Sequence, residues 1–430
     1  MYQNGRKTIT HPTPPNTEYL EMNFVGETAT GRGNNQKFVM ENLHDGTFRA
    51  TESRIGITVG RHKPRSFTYP MDRWQSLYET KVNRGYLLTK TTKMDKKIIQ
   101  ENSSILNVNG IRYQPIEDKS VNEIVTRLLE FINNVFSTNY TIKVDDISDE
   151  MISYGRNTLN ELALSFEKMS VAEFNNKLKT LYAAIPRRMD NLSKHLAKRK
   201  VEFQDIVAQE QELFDLMVSR VRSGQFLSGF SKPKTILDAY DLEWRDVTED
   251  EEKWIRKKLE GSASSYRHAW KITNNRTKKR FDSFCLANSL SEEDGISHLF
   301  HGSRNENFWS IITNGLTINP TNVVISGKMF GNGTYFAPLA KKSLGYTSRS
   351  GSIWAKGTQD CGFLAICKVA TGKCYDLTGA QSDLNWKRLQ ERCPGAHCTW
   401  AHAGHQLYND EVIVYQDEQS TLEYLIEMSS

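Results

Sequence analysis

Cysteine is scarce and unevenly placed: there are six in 430 residues, all after residue 280 (Cys285, Cys361, Cys367, Cys374, Cys393 and Cys398). So few in so long a chain do not make a disulfide framework, and reduced thiols in an intracellular protein are expected. No run of about 18 apolar residues occurs, and residues 1–15 lack the apolar core of a leader, so neither membrane insertion nor secretion has support. No internal repeat or heptad array is apparent. Neither charge sign dominates, the formal net charge being +5. The distribution is uneven, however: residues 54–112 hold twelve Lys/Arg against four Asp/Glu, a local excess of eight. Such a stretch suits a phosphate backbone, and equally a solvated basic face.

The chain is too long for one ordinary core, which predicts two or three domains. Apolar and aromatic contents of 38% and 10% are those of globular protein. Residues 1–17 are polar and proline-bearing and read as a loose arm. From residue 18 to 116 the pattern is short strands, turns and then a helix. Strand signals run from Glu18 to Met22, Lys37 to Met40 and Gly46 to Ala50, with a turn at Asp45-Gly46, and Trp74, Leu77, Tyr78 and Val82 mark a helix within 72–82.

Residues 119–236 change character. Ile124, Leu128, Phe131, Ile132 and Val135 recur at helical intervals, as do Leu159, Leu162 and Phe166, then Phe174, Leu178 and Leu181, then Leu213, Met217 and Val221. Four or more successive amphipathic helices predict a bundle, closed by a loop over 224–233. From residue 237 onward, Thr248 with Glu251 forms a capping box that opens a helix through Leu259. The period then shortens toward two. Strands are predicted at 269–272, 296–300, 363–369, 412–415 and 422–426, and Pro338 suits the first turn of a short helix. The fold class expected is multidomain α+β rather than a doubly wound sheet.

His301-Gly302-Ser303, Gly333-Thr334-Tyr335-Phe336, Lys342 to Tyr346 and Glu411 to Tyr415 come in an order that packing does not explain. Gly302 allows close backbone approach, Ser343 offers a hydroxyl, Tyr335 and Tyr346 can flank a flat ring, and Glu411 offers a carboxylate. Together they suit an aromatic amide on a ribose, the reactive half of NAD. Cleaving that bond passes through an oxocarbenium-like state, which a carboxylate beside the ribose stabilises. Gly331-x-Gly333 lacks the third glycine of a dinucleotide fingerprint, which excludes a Rossmann site.

Four stretches, His301–Asn307, the loop from Gly315 ending in Met329 to Phe336, Lys342–Tyr346 and Glu411–Tyr415, resemble the catalytic domain of the poly(ADP-ribose) polymerases. The resemblance implies an NAD-consuming ADP-ribosyltransferase, in which NAD is substrate and protein side chains are acceptors. The family's His–Tyr–Glu triad falls on His301, Tyr335 and Glu411. By the same resemblance His301 holds the adenosine-side ribose, Gly302 and Ser343 grip the carboxamide, and Ser303 touches a ribose. Tyr346 stacks on nicotinamide, Tyr335 lines the opposite side, and Lys342 supports Glu411, which orients the ribose and activates the acceptor. Retention of the carboxylate implies a polymer-forming enzyme, with a mono-transferase or a nucleic-acid-binding module with an inert pocket as alternatives.

Residues 119–236, including Leu181 to Pro186, resemble the family's all-α regulatory domain, and 18–116 resemble its small β-rich WGR domain. The mixed α/β catalytic domain with antiparallel strands is then 237–430. Where the WGR signature stands, this chain has Glu52-Ser53-Arg54, so an aromatic gives way to a carboxylate that phosphates repel. Arg54, Arg61, Lys63 and Arg65 are the remaining candidates for contact with DNA strand breaks or other nucleic acid. Thr317 and Lys328 stand where some relatives carry Arg and Tyr. The compartment implied is the nucleus in a eukaryote and the cytoplasm for a bacterial or viral source. Cys393, His397, Cys398, His402 and His405 carry zinc-ligand chemistry, but their spacings fit no standard finger, and no metal is expected.

Overall fold

Alternation of buried and exposed positions builds the first sheet. In the computed structural model β1 (Tyr19–Glu27), β2 (Gly33–Asn42), β3 (Thr47–Arg54) and β4 (Arg65–Pro70) form an antiparallel meander. α1 (Trp74–Asn83) and β5 (Leu87–Lys90) follow, and the sheet order is β4-β3-β2-β1-β5. The structure describes residues 19–27, 33–54, 64–90, 106–108, 111–142, 144–189, 191–222, 235–318, 329–348, 361–404 and 407–429. The β2–β3 turn uses left-handed His44 and Gly46 (φ 61° and 84°), and Asp45 accepts from the Thr47 amide at 2.9 Å. Phe38, Met40, Phe48 and Ala50 bury one face of the sheet against Trp74 and Tyr78 of α1.

β6 (Leu106–Val108) and β7 (Ile111–Tyr113) pair as a hairpin before α2 (Lys119–Asn139). Then come α3 (Asp149–Ser165), α4 (Val171–Ala184) and α5 (Phe203–Arg222), so all four expected helices are present. The predicted loop over 224–233 lies outside the described residues. Two compact units emerge, one within 1–101 and 139–211, the other within 102–138 and 212–430. The division runs through α2 and α5. In the first unit α4 packs on β1 and β5, and Arg187 and Glu210 form a buried ion pair joined by the Tyr182 hydroxyl, 3.0 Å from Glu210.

The second unit continues with α6 (Ile236–Tyr240), β8 (Leu242–Asp246), α7 (Glu249–Leu259), β9 (Tyr266–Asn274), α8 (Asn275–Ala287), β10 (Ile296–Gly302) and α9 (Asn305–Asn314). Next are β11 (Thr334–Phe336), α10 (Ala340–Leu344), β12 (Cys361–Ala370), β13 (Cys374–Leu377), α11 (Trp386–Arg392), β14 (Cys398–Ala401), β15 (Glu411–Val414) and β16 (Ser420–Ser429). The capping box at α7 forms as expected, with Thr248 and Glu251 exchanging side-chain-to-backbone bonds of 2.9 and 3.3 Å. Pro338 is not in the first turn of α10: Leu339 is the cap, so the ring stands one residue before the cap, outside the helix.

Two sheets result, β10-β12-β16-β9-β8 and β11-β15-β14-β13. Every pairing is antiparallel except β13 with β14. Phe308 and Trp309 of α9 share a core with Phe363, Ala365 and Leu425, and the apolar side of α2 (Val121, Ile124, Val125, Leu128) belongs to that same core. Each buried Val, Leu, Ile or Phe among them contributes about 1.5–3 kcal/mol relative to exposure. Arg127 adds a two-pronged bond to the Glu427 carboxylate at 2.9 and 3.0 Å. The first twenty residues of α2 are thus packed as part of the second unit. Among the described residues no helix is long and apolar enough to cross a membrane.

Candidate active site

Three strand ends converge at the candidate site. Phe300 of β10 exchanges two backbone bonds with Ala337, at 2.8 and 2.9 Å, which fixes the end of β10 beside β11. β11 pairs with β15, placing Tyr335 opposite Ile413. Opposed residues share a face, and so do residues two apart, so Tyr335, Ile413 and Glu411 point to one side. Phe336, Val412 and Val414 point to the other, into the core with α9.

His301 is tied to this row. Its Nδ1 lies 3.0 Å from the Tyr335 carbonyl oxygen. A carbonyl can only accept, so Nδ1 carries the proton and Nε2 is left as an acceptor. Burial lowers the His301 pKa, outweighing the bond to that carbonyl, and keeps the ring neutral near pH 7. The Tyr335 hydroxyl donates to the Gly331 carbonyl at 2.9 Å and accepts from the Phe330 amide at 3.0 Å. Burial, reinforced by the negative charge of Glu411, raises its pKa far above the working range.

Glu411 is the first residue of β15 and is buried, paired across the sheet with Ala401. Lys342 Nζ reaches its Oε1 at 2.9 Å from the short α10. Burial disfavours the Lys342 ammonium, but the hydrogen bond and charge of Glu411 outweigh it and raise the pKa. Tyr346, one turn on, is 59% exposed, with Lys342 Nζ 5.9 Å from its ring centre. That ring is available to stack on a flat ligand.

The glycines are set by neighbouring backbone. A Cβ on Gly302 would stand 1.9 Å from the Ser343 carbonyl oxygen, so the chain crosses here only because the side chain is missing. Ser343 is buried, and its hydroxyl donates to the Phe300 carbonyl at 3.1 Å, leaving lone pairs for a ligand donor. Gly331 has φ +81°, and a Cβ there would meet the Leu384 carbonyl at 2.0 Å. The Asn332 amide bonds that same carbonyl at 2.8 Å, so the segment around Leu384 holds the turn that carries Tyr335.

His301, Gly302, Tyr335, Lys342, Ser343, Tyr346 and Glu411 are therefore gathered within one unit. Ser303 lies beside them, receiving a bond from Asn307 Nδ2 at 2.9 Å. Two contributors have no role assigned from the sequence: Asn307, which ends the first resembling stretch, and the Leu384 backbone. Phe308, Ile311 and Ile312 have the helical spacing that would have placed Asn307 on a helix, whereas nothing local signals Leu384. Thr317 falls on the described chain after α9, but Lys328 lies outside the described residues.

Of the basic candidates, Arg61 and Lys63 lie outside the described residues. Arg65 on β4 is exposed and pairs in register with Glu52, and Arg54 ends β3. Glu52 forms an ion pair with Lys81 of α1, so its charge is balanced, which the sequence did not reveal. The Cys/His stretch is dispersed: His397 bonds the Lys373 amide (3.2 Å), His402 bonds Asp376 (2.7 Å), Cys398 contacts Cys374, and Cys393 packs in an apolar cluster. His405 lies outside the described residues. Among the described residues no group of three or more His, Cys, Asp or Glu is arranged to hold a metal.

Comparison with known proteins points to one family. The family model described as Poly(ADP-ribose) polymerase catalytic domain matches residues 257–406, which takes in every gathered residue except Glu411. A putative poly [ADP-ribose] polymerase-like 100L of Invertebrate iridescent virus 6 is 34% identical over 150 residues, covering 34% of this chain and 76% of that protein. Poly [ADP-ribose] polymerase 2 of Homo sapiens is 30% identical over 156 residues, 30% of this chain and 26% of that protein. Poly [ADP-ribose] polymerase 1 of Caenorhabditis elegans is 22% identical over 444 residues, 87% of this chain and 45% of that protein.

Proposed function

This chain belongs to the poly(ADP-ribose) polymerase family, whose catalytic domain transfers ADP-ribose from NAD, and from that premise we propose that it builds ADP-ribose polymer on protein side chains. The observation that carries this reading is the Glu411 carboxylate, buried on the same face as Tyr335 and held by Lys342. In the proposed reaction His301 Nε2 accepts from the adenosine-side ribose. Gly302 and Ser343 hold the nicotinamide carboxamide, Tyr346 and Tyr335 flank its ring, and Ser303 contacts a ribose. As the neutral amide departs, positive charge spreads over the ribose, and Glu411 stabilises it from a site of low dielectric. Glu411 then takes the proton of the incoming hydroxyl, whether from a protein side chain or from the ribose at a polymer end.

In this proposal the chain comprises a WGR-like module over 18–116, a regulatory helical segment over 119–236 and a transferase from 237. Arg54 and Arg65, with Arg61 and Lys63, are the residues that would meet nucleic acid. The helical segment would restrain turnover until that signal arrives. Supporting this, Glu212 of α5 lies 2.8 Å from Arg304, the residue after Ser303. Glu212→Gln should then raise turnover without nucleic acid, and unchanged basal turnover would count against the restraint.

The experiment that tests the whole reading uses NAD labelled in its adenylate phosphate, with and without nicked DNA. A ladder of labelled protein that grows with DNA supports it. A single shifted band means one unit per acceptor, and DNA-independent labelling removes the nucleic-acid part.

A further inference from the structure

Cys374 and Cys398 face each other in register on adjacent parallel strands, β13 and β14, with sulfur atoms 3.1 Å apart. Adjacent strands lie about 4.8 Å apart, within the Cα separation of about 4.4–6.8 Å that a disulfide spans, so the backbone need not move for a bond to close. The two sulfurs are unlike. β13 is the sheet edge and Cys374 is partly exposed, whereas Cys398 is fully buried. The Cys398 thiol donates to Cys374 Sγ, which favours the thiolate of Cys374 and lowers its pKa. An accessible, activated thiol backed by a second thiol is the arrangement that peroxide-sensing pairs require.

We propose that Cys374 and Cys398 are a redox modification site, oxidised by a hydroperoxide to an intramolecular disulfide and restored by a dithiol reductant. The Cys374 thiolate attacks the peroxide, an S–O bond forming as the O–O bond breaks, and the leaving hydroxide is protonated to water. The Cys398 sulfur then attacks the Cys374 sulfenic acid. The S–S bond forms, the S–O bond breaks, and the leaving hydroxide departs as water with the Cys398 proton. Two thiols and one hydrogen peroxide thus give one disulfide and two waters. The disulfide closes the loop that carries α11 and Leu384, whose carbonyl holds the Gly331–Asn332 turn ahead of Tyr335. Oxidation is therefore expected to raise thermal stability, because it constrains that loop in the unfolded chain.

The test uses the full chain, reduced, freed of reductant and treated with a few equivalents of hydrogen peroxide, then denatured and alkylated. A Cys393→Ser background is used because trypsin leaves Cys393 and Cys398 in one peptide. The expected result is loss of two alkylatable thiols, a mass lower by two hydrogens before alkylation, and a linked peptide pair that dithiothreitol separates. Melting temperature should rise on oxidation and return on reduction. With Cys398→Ser, Cys374 should instead accumulate as a sulfenic acid trapped by dimedone. The proposal is overturned if Cys398 remains alkylatable while Cys374 is oxidised to sulfinic acid, or if all thiols survive the treatment. None of these readouts depends on NAD turnover, so the result stands apart from the catalytic reading.

Discussion

Lys342 Nζ and Glu411 Oε1 lie 2.9 Å apart, joining a five-residue helix to the first residue of β15. Both side chains are largely removed from water, at 19% and 10% exposure, so cutting the pair strands a carboxylate rather than releasing it. Lys342→Met should cost about 3 kcal/mol of stability, measured by denaturant unfolding. The folded-state pKa of Lys342 is raised. The pair's contribution is therefore complete below the unfolded lysine value of about 10.4 and is lost as pH rises through the folded one. Wild type and variant should converge in stability at strongly alkaline pH.

Glu411→Gln keeps the size of the side chain and an acceptor for Lys342 but removes the charge. Transfer to protein should fall by about 10²–10⁴-fold, the range for loss of a positioned base. Affinity for NAD, read by calorimetry, should change little, since the amide and base contacts lie elsewhere. A large loss of affinity would place Glu411 in binding rather than in catalysis.

Gly302→Ala tests the close crossing of β10 and α10. The added methyl would sit 1.9 Å from the Ser343 carbonyl oxygen, so one segment must move. Overpacking of this kind costs about 1–3 kcal/mol, and NAD binding should weaken sharply. Wild-type affinity in the variant would mean that the crossing is not part of the ligand pocket.

The His301 imidazole supplies a pH signature. Burial holds its folded-state pKa below the ordinary value of about 6.5. The unfolded chain thus takes up a proton first as pH falls, and the stability contributed by neutral His301 is present above that value and lost below it. KM for NAD should accordingly stay flat through about pH 6.5 and climb only as pH falls through the lower folded-state value, where Nε2 stops being an acceptor. His301→Gln should remove that limb of the profile.

In the first unit, Glu210 is enclosed with Arg187 and Tyr182. Glu210→Ala leaves a buried guanidinium without its carboxylate and should destabilise by about 3–5 kcal/mol. Thermal unfolding of the full chain should show an early transition that wild type lacks.

Much of this was legible in the sequence because it rests on local chemistry. The capping box at Thr248 and Glu251, the Asp45-Gly46 turn and the periodicity of α2 through α5 are short-range signals, and each produced its element. His301, Tyr335, Lys342 and Glu411 could be named because the stretches that hold them resemble those of a known family. What stayed hidden depends on contacts distant in sequence. Lys81 balancing Glu52, Leu384 closing on Gly331, and Arg127 binding Glu427 link positions that no window brings together. The division of α2 and α5 between two units is of the same kind, since apolar spacing says that a helix has a partner without saying which.

Release of nicotinamide from NAD by the purified chain, followed together with ADP-ribose appearing on protein, is the most direct measurement. The account predicts that both accumulate, in step or with ADP-ribose chains lengthening on few acceptors, and that Glu411→Gln suppresses the transfer. No nicotinamide release by the folded wild-type chain, with nicked DNA present or absent, would contradict it.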